Sequence, residues 1–442
     1  MSTMTLGVLY ALATFLFLFS GMPIAFAVGS VALLFMFFFM PPAQVMIVAE
    51  TVYSELNNFT LLTIPLFILM GAAIGKSRAG ADLYNSLNRW LYRVPGGLGL
   101  ANTLACSIFA AMCGSSPATC SAIGSSGIPE MRKRGYSARL AAGLIAAGGT
   151  LGILIPPSLT LILYGLATEQ SIGKLFMAGV GPGLMLTALF ALWVMFRAWQ
   201  EKRAAAASGS ASALLVEERY SWRDRLETLP RLAPFVVLVM IVMVALYGGW
   251  ATPSEVAGIG AAGALLMVMG LYGCWRWKDL KVILAGTARE SSMIMLIIGF
   301  SFLYTYVMSY LHITQSVAAW LVALELGKWA FVFWSSMFMI VLGFFLPPVA
   351  IILMITPILL PALKALGIDL VWYGIIMTIL MEMGLIHPPV GLNLFVINGI
   401  APDIKMRDII MGTLPFLGLM VVGILLLCVF PEIALWLPNN AK

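Results

Sequence analysis

The sequence predicts an all-α polytopic membrane protein built as an inverted repeat, each half carrying five spans and one re-entrant helical hairpin. Three observations carry that expectation. Of 442 residues, 61% are hydrophobic and 10% charged, with a mean hydropathy of +1.00, whereas soluble domains average about 25% charged residues. Five Gly or Pro positions recur as the same residue 232 positions later. Folding two broken apolar stretches back as hairpins places 21 of the 25 basic residues on one side.

Apolar runs long enough for spanning helices lie near residues 5–20, 22–40, 58–75, 138–167, 174–199, 232–248, 254–273, 289–311, 370–400 and 408–437. The first has no basic residue before it and runs through Gly21-Met22-Pro23 into the second, so it reads as a span, not a cleaved leader. Two further stretches, about 97–130 and 329–366, are interrupted by Gly114-Ser115-Ser116-Pro117 and by Pro347-Pro348. Proline and glycine break helices, and irregular backbone at membrane depth survives only inside protein, so both read as re-entrant hairpins.

Cytoplasmic loops collect Lys and Arg. With both hairpins folded back, only Lys174, Lys328, Lys364 and Lys442 fall on the opposite side. This expectation puts both termini in the periplasm. Residues 1–200 form the first half, 201–231 a polar cytoplasmic linker with an interfacial turn near Trp222, and 232–442 the second half.

Several classes are disfavoured. The net charge of +6 follows membrane topology and gives no sign of nucleic-acid binding. Five cysteines without a Cys-x-x-Cys pair, and only His312 and His387 as imidazoles, indicate neither a disulfide framework nor a zinc site. There is no phosphate-binding G-x-x-x-x-G-K-[ST] loop. A membrane-embedded transferase would need a clustered acid, base or metal constellation, which two lone histidines and scattered carboxylates do not supply. No cofactor is expected.

The repeat pairs Pro129 with Pro361, Gly135 with Gly367, Gly152 with Gly384, Pro156 with Pro388 and Pro157 with Pro389. An odd number of spans per half inverts the second copy. Inverted repeats with discontinuous helices are typical of secondary transporters, whose sites lie near the midplane at the breaks. Each long run, 138–167 and 370–400, is broken at Pro-Pro, which frees backbone groups for ions or substrate.

The candidate substrate residues are Ser115, Ser116, Pro117 and Thr119 at the first tip, Pro156, Pro157 and Ser158 at the first break, and His387, Pro388, Pro389 and Asn393 at the second. Hydroxyl and carbonyl oxygens suit a hard cation such as sodium. The candidate sodium residues are Gly114, Ser115, Ser116, Gly149, Thr150, Gly152, Pro347, Pro348, Gly384 and Gly391. Small residues here could equally serve close helix packing. Glu382, an acid within an apolar run, is either functional or satisfied by a neighbouring helix. Replacing Ser116, at a loop tip, is expected to affect ion coupling more than stability.

The strings GSSPATCSAIGSSGIPEMRKRGYS (114–137), GGTLGILIPPSLTLILYG (148–165), ATPSEVAG (251–258) and GLIHPPVGLNLFV (384–396) resemble the large membrane subunit of tripartite ATP-independent periplasmic (TRAP) transporters. The resemblance covers nearly the whole chain. It implies a sodium-coupled elevator-type importer of the ion-transporter superfamily type in a bacterial inner membrane. It also implies a carboxylate substrate, a separate small four-helix membrane subunit and a periplasmic solute-binding protein. Two positions depart from the family: Pro347-Pro348 stand where an acidic residue is frequent, and His387 where threonine often precedes Pro-Pro. A stand-alone ion-coupled organic anion carrier is the rival within transport. A passive channel is disfavoured by the paired breaks.

Overall fold

The computed structural model describes residues 2–94, 96–207 and 220–440. It is 83% helix, with no strand among the described residues. Six described helices are long and apolar enough to cross a membrane, or eight if each of two bent pairs is one span. Their outward faces carry large apolar side chains such as Leu16, Phe37, Phe38 and Leu266, each about two-thirds exposed or more. Lipid tails are the environment in which such faces carry no penalty.

Both broken stretches are helix pairs. The first joins Gly97–Cys113 to Ser116–Lys133, and the second joins Lys328–Gly343 to Pro348–Ala365. Pro348–Ala365 alone meets the length and hydropathy of a spanning helix. Its counterpart Ser116–Lys133 is diluted by Ser, Thr and Gly.

The 232-residue spacing extends from residues to elements. Ser116–Lys133 and Pro348–Ala365 both have 18 residues, with Pro129 and Pro361 inside them. Each ends at a glycine in the left-handed region, Gly135 at φ 80° and Gly367 at φ 61°. The next helices start at Ala138, capped by Ser137, and at Leu370, capped by Asp369. Both run to a Pro-Pro pair joined by a cis bond. The first then resumes as Leu159–Thr168 and the second as Leu392–Ile400. The two arms of the first are bent by 40°.

Some bounds differ from the sequence reading. The run expected at 289–311 is the end of a 34-residue helix, Trp277–Tyr310, whose polar start at Lys278, Asp279 and Lys281 hides it from a hydropathy scan. The helix expected to stop near 199 continues to Ala207. Residues 208–219 of the expected linker lie outside the described residues. The turn near Trp222 is a short helix, Trp222–Leu226, closed by reciprocal Ser221 and Asp224 hydrogen bonds.

The N-terminal helices Thr3–Phe19 and Ile24–Phe39 pack on Trp277–Tyr310, forming a hydrophobic cluster separate from the main core. There Tyr10 donates to the Tyr304 carbonyl at 3.1 Å. On the basic side, Arg132 pairs with Asp403, and Arg139 with Asp408 at 3.0 Å, tying the two halves together. The guanidinium beside Asp403 holds its carboxyl below the usual range.

Tight crossings depend on missing side chains. A Cβ at Gly412, in helix Met406–Val429, would lie 2.2 Å from the Arg139 carbonyl oxygen, which is backbone and cannot yield. Gly412→Ala should therefore lower stability by about 1–3 kcal/mol. Gly418 is in the same helix, and a Cβ there meets nothing within 4 Å; Gly418→Ala should be neutral or gain up to about 1 kcal/mol. Unfolding midpoints in an SDS titration check the pair, and equal midpoints would contradict this account of the crossing.

Candidate functional site

The first hairpin turns at Gly114, whose φ of 60° favours glycine. A Cβ there would also sit 2.9 Å from the Pro157 carbonyl oxygen, so the tip is seated against the first break. Ser115 is extended, and the second hairpin helix begins at Ser116 with Pro117 in its first turn, where a missing N–H costs nothing.

Ser116 is fully buried although it stands at the hairpin tip. Its Oγ donates to Glu382 Oε2 at 3.0 Å and accepts from Asn393 Nδ2 at 2.9 Å. The same Nδ2 donates to the Ala146 carbonyl at 3.1 Å. The hydroxyl thus joins the hairpin tip to both arms of the second broken helix, and the Asn393 amide extends the junction to the first. Glu382 and Asn393 are at most 1% exposed. Among the described residues, Glu382 Oε1 and Asn393 Oδ1 have no hydrogen-bond partner. A buried acceptor without a donor costs about 1–3 kcal/mol, more when charged, so this junction is incomplete as the chain alone builds it.

The glycines of the first break make the approach possible. A Cβ at Gly149 would fall 2.1 Å from Cys120 Sγ and 2.9 Å from the Ser116 carbonyl oxygen; one at Gly152 would fall 3.0 Å from the Ser115 carbonyl oxygen. The hydroxyls close by bond locally. Thr119 donates to the Ser115 carbonyl at 2.9 Å, Thr150 to the Ala147 carbonyl at 2.6 Å, and Ser158 accepts from the Leu161 N–H at 3.2 Å. Pro156, Pro157 and Ser158 are buried.

The second break groups differently. Gly384 backs onto Gly343, with a Cβ at Gly384 falling 2.3 Å from the Gly343 carbonyl oxygen. The His387 ring stacks on Phe344 with centroids 4.6 Å apart, and its Nδ1 lies against the Pro388 carbonyl. Gly343 and Phe344 lead into Pro347-Pro348, of which Pro348 is buried. The freed Ile386 carbonyl accepts from Thr413 Oγ1 at 3.2 Å. Pro389 is exposed, and Gly391 opens the second arm at φ 51°.

The sequence-derived residues therefore fall into two groups. Ser116, Gly149 and Asn393 meet at one, and Gly384, His387 and the approach to Pro347 at the other. Ala146, Gly343, Phe344 and Thr413 were not marked by sequence, since three act through backbone or packing and Thr413 lies outside both breaks. No group of three or more His, Cys, Asp or Glu side chains that could hold a metal ion occurs among the described residues.

The family model described as "Tripartite ATP-independent periplasmic transporter, DctM component" matches residues 11–433. The chain belongs to that family. It is 36% identical over 398 residues to the C4-dicarboxylate TRAP transporter large permease protein DctM of Pseudomonas aeruginosa, covering 90% of each chain. The protein of the same name from Rhodobacter capsulatus is 34% identical over 434 residues, covering 95% of this chain and 96% of that one. The ectoine TRAP transporter large permease protein of Halomonas elongata is 29% identical, covering 89% of each. The fold is shared with the YdaH transporter of Alcanivorax borkumensis at TM-score 0.64 and 16% identity, covering 91% of this chain and 90% of that one. The chain is thus a TRAP large permease: a polytopic membrane transport protein, outside the enzyme classes.

The sequence reading expects replacement of Ser116 to alter stability little, whereas its burial between two polar partners implies a clear cost. Ser116→Ala should cost about 1–3 kcal/mol, because Glu382 Oε2 and Asn393 Nδ2 both lose a partner. Ser125, exposed and donating among the described residues only to the Ala122 carbonyl, is the control; Ser125→Ala should stay within about 0.5 kcal/mol. Unfolding midpoints of both variants check this, and equal shifts would contradict the role of the junction.

Proposed function

We propose that this permease is the membrane subunit of a sodium-coupled secondary importer in a bacterial inner membrane, moving a small carboxylate solute into the cytoplasm by an elevator mechanism. The observation that carries the reading is the Ser116, Glu382 and Asn393 junction. Two acceptor oxygens lacking donors, buried where a hairpin tip meets two broken helices, are what a hard monovalent cation would complete. Oxygens at Glu382, Asn393, Ser116 and the adjoining backbone would hold the ion, with Gly149 and Gly152 keeping the walls close. The solute would sit against the Ser115 to Thr119 tip and the backbone freed at both Pro-Pro breaks.

The recurrence of helix starts at one offset, and the one-sided distribution of basic residues, support an inverted repeat with both termini in the periplasm. Membership of the family supports delivery of the solute by a periplasmic binding protein and assembly with a small four-helix membrane subunit. Relatives named for C4-dicarboxylates and for ectoine leave the solute itself open within the family.

Reconstituted with its small subunit and binding protein in liposomes, the permease should take up the binding protein's ligand when sodium is high outside. Uptake should fall to background when sodium is replaced by choline, or when either partner is omitted. Uptake unchanged in choline would sink sodium coupling. Full uptake by the permease alone would favour the stand-alone carrier.

A further inference from the structure

A cavity of about 320 Å³ lies beside the first hairpin tip, between the helix Thr63–Lys76, the tip itself and the helix Trp277–Tyr310. Its size is at the lower end for small-molecule sites. Lys76 and Glu290 are the charged residues lining it, with the hydroxyls of Ser115 and Ser121. Gly75 and Gly286 widen it, since a Cβ at either would meet nothing within 4 Å. Lys76, Ser121 and Glu290 are all exposed. Among the described residues neither charge takes part in an ion pair. The cavity therefore presents one cation and one anion, both free to meet a ligand, around a tip that supplies hydroxyl donors.

We propose that this cavity selects solutes bearing one carboxylate and one cationic nitrogen, and discriminates against dicarboxylates. The inference rests on the transport reading, because only then does a solute reach the tip. A solute carboxylate pairs with the Lys76 ammonium and accepts from Ser115 or Ser121. The solute's ammonium or amidinium pairs with Glu290. A dicarboxylate finds one lysine for two anions, and its second carboxylate faces Glu290. Like charges brought to about 4 Å near a protein surface repel strongly enough to set a preference of about tenfold or more.

The test uses the full chain in nanodiscs, with the native cysteines replaced and a single cysteine introduced by Ala118→Cys, at a lining residue that supplies no group to the solute. The readout is the rate of maleimide labelling. The probes are 4-aminobutyrate and succinate, which share a four-carbon chain and differ in one terminal charge. 4-Aminobutyrate should slow labelling at a half-maximal concentration about tenfold below that of succinate. Glu290→Lys should reverse the order, and Lys76→Gln should weaken both probes. Where Glu290→Lys does not fold, the near-isosteric Glu290→Gln should bring the two concentrations together.

Succinate protecting as well as or better than 4-aminobutyrate overturns the proposal. So does a preference unchanged by either Glu290 substitution, or labelling that neither probe slows. Labelling needs no gradient, so lost selectivity with intact sodium-driven uptake sinks this inference alone. Retained selectivity without uptake sinks the transport reading alone.

Discussion

A single buried hydroxyl, that of Ser116, must serve a carboxyl and an amide at once, and much of the architecture exists to let it. Glu382 and Asn393 are 266 and 277 residues away in sequence, so their meeting requires the second half to be folded against the first. It also requires the tip to press into the first break. That press works only because Gly149 and Gly152 have no side chains, and because Gly114 reaches the Pro157 carbonyl. Small residues at such crossings are the usual means of association in lipid, where helices gain little from hiding apolar surface from one another. Gly143 against Gly412 and Gly384 against Gly343 repeat the device.

Breaking helices in the membrane creates a debt of unpaired backbone groups, and the two breaks settle it unequally. At the first, Pro156, Pro157 and Ser158 are buried, and Ser158 caps the helix that resumes. At the second, Thr413 reaches in for the Ile386 carbonyl while Pro389 and Val390 remain exposed. Equivalent positions in the two halves thus share backbone geometry without sharing surroundings. His387 illustrates the difference: its equivalent 232 positions earlier is Ile155, and the imidazole stacks on Phe344 where an aliphatic side chain would only pack.

Much of the backbone plan was legible in the sequence, because Pro and Gly dictate φ and hydrogen bonding locally. Gly135, Gly367 and the two Pro-Pro pairs mark helix ends, and the broken runs expected at 138–167 and 370–400 start at Ala138 and Leu370 and finish at Thr168 and Ile400, whereas Pro129 and Pro361 lie inside helices that continue past them. The polar start of Trp277–Tyr310 was missed because Lys278 and Asp279 belong to a helix that leaves the apolar region. Ser116, Asn393 and Gly149 were singled out by chemistry and position, and the fold brings them together. What could not be read was pairing. Nothing local says that Glu382 faces Ser116, that Ala146 supplies a carbonyl, or that Lys76 and Glu290 share a cavity. Those are consequences of tertiary packing, and a tip residue looks exposed until the break it enters is placed around it.

Whether the junction acts as one cation-binding unit is tested most directly by the sodium-induced rise in melting temperature, with potassium as the reference ion. The full chain in nanodiscs is compared with Ser116→Ala, Asn393→Ala and the double variant. An ion that binds only the folded state raises its stability by mass action, and groups acting on one ion show strongly non-additive losses. The account predicts that either single substitution abolishes the rise and that the double variant loses no more. A rise that persists in either single variant, or two partial losses that add, would contradict it.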